Sequence, residues 1–282
     1  MNLIGLGARG CKLVEHFRQY NEYKIYKIDF DLVGLKKDGI FCFPEVTTVE
    51  ECESKFPSMS NFFKNATGRT ILFTSGADIL CASALRVLET IKVRNTITVV
   101  YIKPDTILSD PATKLIDNAA FNVFQQYARS GAFENLYLIS EEKLFDAVGD
   151  VAIANFESSA SGLVASVFHI INVMNNSQPI YDNYSKRVDI ARISTIGMSS
   201  IEENMENLLF PLDFCSEKSY YYLIPKKILD TDQKLMQKIL TQVKNNIKKD
   251  KIKIGFGVYE TEYEEPYVYV TCSSSIIQGI EL

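Results

Sequence analysis

The sequence has only two histidines, His16 and His169, and its six cysteines (Cys11, Cys42, Cys52, Cys81, Cys215 and Cys272) show no C-x-x-C spacing. That pattern argues against a metal site and predicts buried, reduced thiols in a cytoplasmic protein. An excess of one charge is also missing. Thirty Lys and Arg are interspersed with 35 Asp and Glu for a net charge of −5, so no basic face is offered to nucleic acid or anionic lipid. No apolar run approaches the roughly 18 residues that a membrane span needs, and a strand pattern starts almost at Met1, so neither span nor leader is expected. Internal repeats and low-complexity segments are absent too. What remains is a globular composition, 46% hydrophobic and 23% charged over 282 residues, enough for one large or two ordinary domains.

The most informative segment is Gly5-Leu6-Gly7-Ala8-Arg9-Gly10, which follows a short apolar run and precedes Leu13, Val14 and Phe17. Glycines at this spacing let backbone N–H groups approach an anion at the start of a helix, where the macrodipole also favours negative charge. The same spacing can serve only as a tight turn between a strand and a helix.

Periodicity predicts alternating elements through the first half. Strands are expected at 3–6, 24–29, 70–74, 97–102 and 136–139, and helices at 11–20, 48–56, 59–65, 79–92, 110–128 and 141–148. Continuously apolar strands between helices imply a parallel sheet covered on both faces, with ligands at the carboxyl ends of its strands. That rule gathers Gly5 to Gly10, Asp29 to Asp31, Ser75 to Asp78, Lys103 to Asp105, and Ser140 with Glu141 around one rim. A long helix at 153–172, small and apolar around most of its circumference, reads as a buried central element. Beyond a polar stretch the pattern predicts strand 189–196, helix 200–209, strand 220–224, helix 230–246 and a closing hairpin of strands 252–260 and 267–273. The expected organisation is a nucleotide-binding-like domain at 1–150, a central helix and loop at 151–182, and a C-terminal α/β domain at 183–282.

This order of elements resembles the tubulin/FtsZ superfamily over nearly the whole chain. The glycine turn with Cys11, Lys12, Leu13 and Val14 is similar to the family's first glycine loop and helix. Thr98-Val99-Val100-Tyr101-Ile102-Lys103-Pro104 is similar to the strand and turn beside the ribose, and the segment from Leu136 to Phe145 to the next strand and helix. The resemblance implies an α/β tubulin/FtsZ-like fold, GTP or GDP as ligand, and contacts from Gly5, Gly7, Ala8, Arg9, Gly10, Gly76, Ala77, Asp78, Lys103, Pro104, Glu141 and Phe156. A dinucleotide-binding Rossmann enzyme is the competing assignment, because Asp29 lies about 20 residues after the glycines, where a ribose-binding carboxylate would sit. The apolar helix at mid-chain and the lack of catalytic groups in the second half weigh against it.

Several matched positions depart from the family. Its second loop, G-G-G-T-G-[ST]-G, is represented here by Ser75-Gly76-Ala77-Asp78-Ile79-Leu80-Cys81, which retains one glycine. Asp78 precedes an apolar-periodic helix, so it reads as an N-cap whose carboxylate takes N–H groups that a phosphate would use. Glu141 stands where the family has an asparagine. Phe156 matches the aromatic that stacks on guanine, but the carboxylate expected four residues later falls at Ala160. Of the loop after the central helix, whose carboxylates position water for a neighbouring subunit in the family, only Asp182 remains as a catalytic candidate.

These departures imply a cytoskeletal protein that assembles head to tail with GTP binding and hydrolysis weakened or lost. An active GTPase with a divergent phosphate loop and a non-polymerising scaffold stay open as alternatives. Self-association is the expected partnership, with no direct nucleic acid or membrane contact. The family's C-terminal linker and peptide are not seen in the sequence, so a specialised paralogue or a phage- or plasmid-borne version is expected rather than a conventional division protein.

Overall fold

The computed structural model describes residues 1–32, 38–184, 188–201 and 205–279. The chain divides into two compact units, Met1–Ala165 and Ser166–Leu282.

In the first unit, β1 (Asn2–Leu6) runs straight into α1 (Gly7–Glu15), followed by β2 (Lys24–Asp29), β3 (Ile40–Cys42) and α2 (Val49–Ser54). Then come β4 (Gly68–Ser75), α3 (Ala84–Ile91), β5 (Asn95–Lys103), α4 (Pro111–Arg129), β6 (Asn135–Ser140) and α5 (Glu141–Val148). The strands pair in the order β3-β2-β1-β4-β5-β6, every pair parallel. Leu3, Ile4, Leu72, Phe73, Val99, Val100, Leu136 and Leu138 are fully buried, as a sheet covered on both faces requires. Because β2 and β4 flank β1 on opposite sides, the strand order reverses between β1 and β4. A crevice at the carboxyl ends of these two strands is the expected ligand position in an open α/β sheet.

The helix α6 (Ile153–Asn175) follows. Its buried positions are Ser161, Val164, Ala165, Val167, Phe168 and Ile171, whereas Ile153 is 96% exposed, so burial does not extend along the whole helix. In the second unit, β7 (Tyr181–Asp182), β8 (Ile193–Ser199), β9 (Glu206–Leu208), β10 (Glu217–Pro225), α7 (Lys226–Thr231), α8 (Leu235–Asp250), β11 (Lys253–Thr261) and β12 (Tyr267–Ser274) complete the chain. The strand order is β8-β12-β10-β11-β7, with β9 on the other side of β8. Strands β10 and β11 are parallel and the other pairs antiparallel. Tyr220, Tyr222, Ile239, Val243, Phe256, Val258 and Val270 form the core of this unit.

Several expectations need correction. The two closing strands are not a hairpin: β10 lies between them, parallel to β11 and antiparallel to β12. The connection at 262–266 therefore spans two strand spacings, about 10 Å, within reach of five residues at about 3.3 Å each. The expected helix at 200–209 is also overturned. Residues 202–204 lie outside the described set, and Glu206–Leu208 is a strand on β8, where a Cβ on Gly197 would overlap the Asn207 carbonyl. Residues 59–65 form turns rather than a helix, with Phe62 and Phe63 packed on Tyr26. The helix expected at 230–246 breaks because Asp232 Oδ1 accepts from Lys234 N at 2.9 Å, a local bond that competes with helix continuation. Strand β8 starts at Ile193, after a turn at Asp189 and Ile190 closed by Ala191 N donating to Val188 O at 3.0 Å, and β3 has no counterpart among the expected elements. The thiols of Cys11, Cys52, Cys81 and Cys272 are buried, but Cys42 is exposed and Cys215 half-buried. No single helix among the described residues is long and apolar enough to cross a membrane.

The second unit depends on a buried polar bridge. Tyr222 OH donates to Gln242 Oε1 at 2.8 Å, and Gln242 Nε2 donates to Ser200 O at 2.7 Å. Tyr222→Phe leaves the buried Gln242 carbonyl without that donor, which should lower stability by about 1–3 kcal/mol in urea denaturation.

Candidate functional site

The glycine turn follows β1 without an intervening loop. Gly7 has φ +78°, a left-handed conformation that side chains rarely adopt. A Cβ on Gly5 would overlap the Gly10 carbonyl, and one on Gly10 would overlap the carbonyl of Phe73 in β4. The glycines therefore allow α1 to pack directly on β1 and β4, a structural need that exists with or without a ligand.

Across the crevice, the segment after β4 is closed by its own hydrogen bonds. Gly76 N donates to Ile102 O at 3.0 Å, Ala77 N to Ser75 Oγ at 3.2 Å, and Asp78 N to Ser75 O at 3.1 Å. Leu80 N donates to Asp78 Oδ1 at 2.9 Å and Cys81 N to Asp78 O at 3.0 Å. Asp78 thus caps the 3-10 turn Ile79–Ser83 that leads into α3. Its other oxygen, Oδ2, accepts from Ala8 N at 2.8 Å. The carboxylate lies over Gly7 so closely that a Cβ there would overlap it. A phosphate at the start of α1 would have to displace this carboxylate from Ala8 N.

The charge around the turn is negative. Burial raises the Asp78 pKa above the ordinary aspartate range, against the lowering effect of its bonds from Leu80 and Ala8. Asp29, at the carboxyl end of β2, is raised by burial, lowered by the bond from Phe30 N, and raised again by the charges of Asp78 and Asp31. Its Oδ1 accepts from Phe30 N at 2.8 Å. Lys27, whose charge lowers the Asp29 pKa, pairs with Glu15 at 3.1 Å, and two further cations near the rim are also committed elsewhere. Lys103 pairs with Asp117, which is fully buried and also accepts from Tyr101 OH at 2.6 Å, and its ammonium lies 4.4 Å from the Phe121 ring centroid. Arg9 pairs with Glu141, whose Oε2 accepts from Asp105 N at 3.1 Å. Pro104 packs beside Gly76, where a Cβ would also meet Tyr101 and Asp117. Burial pushes the thiols of Cys11 and Cys81 up to about 12, which makes both poor nucleophiles.

A pocket of about 280 Å³ opens beside this turn, lined by Arg9, Glu141, Phe145, Phe156, Glu157 and Ala160 among others. Phe156 stacks on Phe145, with centroids 4.4 Å apart and planes at 16°. One face of the candidate base-stacking ring is thereby covered by a neighbouring side chain. Glu157 pairs with Lys12 at 2.6 Å. The structure thus brings Gly5, Gly7, Ala8, Gly10 and Asp78 together at the turn, with Gly76 and Ala77 on the same loop as Asp78. Arg9, Glu141 and Phe156 line the pocket, and Lys103 is turned to Asp117. Asp182 lies in the second unit, on the short edge strand β7, where its Oδ1 accepts from Tyr184 N at 3.3 Å. Sequence reasoning missed Asp117, Phe145, Glu157 and Lys12. Asp117 was legible in part, since it falls on the buried stripe of α4 with Phe121, Phe124 and Ala128.

No family model matches the sequence, and neither does any curated protein. Solved structures match over nearly its whole length. A GTPγS-form protofilament of TubZ from Bacillus thuringiensis serovar israelensis has a TM-score of 0.72 at 13% identity, covering 97% of this chain and 86% of that one. A GTPγS-bound protofilament of CetZ2 from Haloferax volcanii gives 0.70 at 10% identity, with 97% and 93% coverage. An empty FtsZ dimer from M. jannaschii gives 0.69 at 12%, with 97% and 87%. At such identities the likeness establishes the fold, which is tubulin/FtsZ-like.

A raised carboxylate pKa has a definite consequence for stability. The folded state holds the Asp78 proton more tightly than the unfolded state, so this stabilisation is present below the ordinary aspartate pKa of 3.8 and is lost as pH rises through the raised value. The urea-denaturation stability of wild type relative to Asp78→Asn should therefore fall as pH rises above the ordinary aspartate value of 3.8. Asp78→Ala, which removes both caps, should cost about 1–2 kcal/mol at neutral pH by the same measurement.

Proposed function

From the tubulin/FtsZ-like fold, we propose that this chain is a cytoskeletal protein that assembles head to tail, with GTP binding and hydrolysis weakened or lost. The observation that carries the second half of this reading is the Asp78 carboxylate on Ala8 N, in the crevice where the strand order reverses. It supplies in cis the negative charge and the acceptor that a phosphate would bring to the start of α1. A polyphosphate entering there would lose that donor and meet Asp29 and Asp78 at close range, with Arg9 and Lys103 already paired. The residues present do not fit the nucleotide that the fold implies.

Self-association is supported by the fold's occurrence in protofilaments of TubZ and CetZ2. A contact between different surfaces of successive copies gives an open filament when the rotation does not close. Hydrolysis has little support, since Asp182 is an exposed edge-strand residue already bonded to its own loop.

Sedimentation of the purified protein with and without GTP, alongside a GTP-binding titration, tests both halves. Assembly that is indifferent to GTP, with affinity weaker than micromolar, is the expected outcome. Micromolar binding with turnover that rises with protein concentration would establish an active GTPase instead. A monomer under every condition would leave a scaffold.

A further inference from the structure

Two of the six cysteines meet in the second unit, one on each side of the pairing between β10 and β12. Cys272 lies in β12 opposite Lys218 of β10, and Cys215 lies on the segment leading into β10. Their chain neighbours hold the two segments together. Ser216 N donates to Ser273 O at 2.8 Å, and Ser275 N donates to Ser216 Oγ at 3.2 Å. The thiols are in contact as a result, with the Cys272 S–H donating a hydrogen bond to Cys215 Sγ. Cys215 Sγ in turn donates to Glu217 O at 3.2 Å.

The two thiols differ in what reaches them. Cys272 has no exposed surface, whereas Cys215 is half-buried, so a small reagent in water meets Cys215 first. They also differ in how readily they ionise. The hydrogen bond from Cys272 lowers the Cys215 pKa, burial raises it, and the charge of Lys218 lowers it again, with the net shift below the ordinary thiol value. The same bond and burial raise the pKa of Cys272. The Lys218 ammonium is held in place by Glu206 Oε2 at 2.8 Å and Asp250 Oδ2 at 2.7 Å. Cys11 and Cys81, by contrast, are buried and pushed up to about 12. An accessible sulfur that ionises readily, beside a second thiol, is the arrangement in which oxidation ends at a reversible disulfide.

We propose that Cys215 and Cys272 are a peroxide-responsive dithiol pair, in which a hydroperoxide oxidises Cys215 and Cys272 then closes a reversible disulfide between β12 and the segment leading into β10. In the first step the Cys215 thiolate attacks a peroxide oxygen and the O–O bond breaks. The sulfur keeps the hydroxyl as a sulfenic acid, and the departing alkoxide or hydroxide takes up the proton that Cys215 released. In the second step the Cys272 sulfur attacks the Cys215 sulfur, the S–O bond breaks, and the hydroxyl leaves with the Cys272 proton as water. One hydroperoxide is reduced to its alcohol, or to water, while two thiols are oxidised to one disulfide. The sulfurs already touch, so the second step closes a hydrogen-bond contact to the roughly 2.0 Å of an S–S bond. The link joins the two ends of a chain segment that contains α7, α8 and β11, and thiol–disulfide exchange with a reductant reopens it. The cytoskeletal reading uses neither residue, so the pair is tested separately from it.

The test uses the full-length protein, reduced, freed of reductant and exposed to hydrogen peroxide in native buffer, with circular dichroism following the fold. Non-reducing peptide mapping should find Cys215 linked to Cys272 within one chain, with an intact-mass loss of about 2 Da that dithiothreitol reverses. Cys272→Ala should leave a sulfenic acid on Cys215 that dimedone traps, and most of that adduct should be missing from wild type, where Cys272 consumes it. Cys215→Ser should leave Cys272 unoxidised, because peroxide does not reach it, and this variant serves if Cys272→Ala does not fold. Oxidation of the exposed Cys42 with Cys215 and Cys272 both unmodified would overturn the proposal. Equal dimedone trapping at Cys215 in wild type and Cys272→Ala, with no linked peptide, would show that the two thiols do not act as a pair. A link found only between two chains, or only after the circular dichroism signal of the fold is lost, would refute it as well.

Discussion

One carboxylate ties the ends of the first unit's two central strands together. Asp78, beyond β4, accepts from Ala8 N at the start of α1 and from Leu80 N in its own turn. Helix starts carry unsatisfied N–H groups that need an acceptor, and a side-chain cap in place of water contributes about 0.5–2 kcal/mol. An acceptor from within the chain meets that need permanently, whereas a bound ligand meets it only at a concentration above its dissociation constant. The glycine turn is then a packing device. Gly5 and Gly10 admit the close approach of β1, α1 and β4, and Gly7 leaves room for the carboxylate.

The remaining charges around the turn follow the same logic of internal pairing. Lys103 faces the buried Asp117, and Arg9 faces Glu141, which also holds the backbone of Asp105. Removing the partner of the fully buried Asp117 leaves an uncompensated charge, so that pair resists rearrangement for a passing anion, whereas Arg9 and Glu141 are only half-buried. The Lys103–Asp117 pair is the deepest of them, with Asp117 fully buried and held by Tyr101 as well. It orients α4 against β5, and α4 begins directly after the loop that carries Ile107 and Leu108.

Much of the first unit was legible because parallel strands covered on both faces leave continuous apolar runs bounded by helix caps. Strand Lys24–Asp29 and helix Glu141–Val148 were placed residue for residue, and the cap Asp78 was readable from its position before an apolar-periodic segment. The second unit was harder. Strand β9 could not be told from a helix because what decides it is the bare backbone at Gly197, and the insertion of β10 between β11 and β12 is a long-range pairing that local pattern does not encode. The candidate site divides in the same way. That Asp78 caps its own helix is a local fact. That its second oxygen reaches Ala8, 70 residues earlier, is a fact of the fold. The pairing of Phe145 with Phe156 and of Lys103 with Asp117 was likewise hidden, since both join different elements.

An acceptor built into the chain and one supplied by a ligand differ in what can change them. An anion bound at a helix start can leave, and the N–H groups it satisfied then return to water. The Asp78 carboxylate stays within reach of Ala8 N for as long as β1, α1 and β4 keep the close packing that Gly5 and Gly10 allow. Its one internal variable is its proton, which burial makes harder to lose. A protonated Asp78 still offers an oxygen to Ala8 N but no longer repels an anion, so the competition between carboxylate and phosphate at this turn depends on pH as well as on packing.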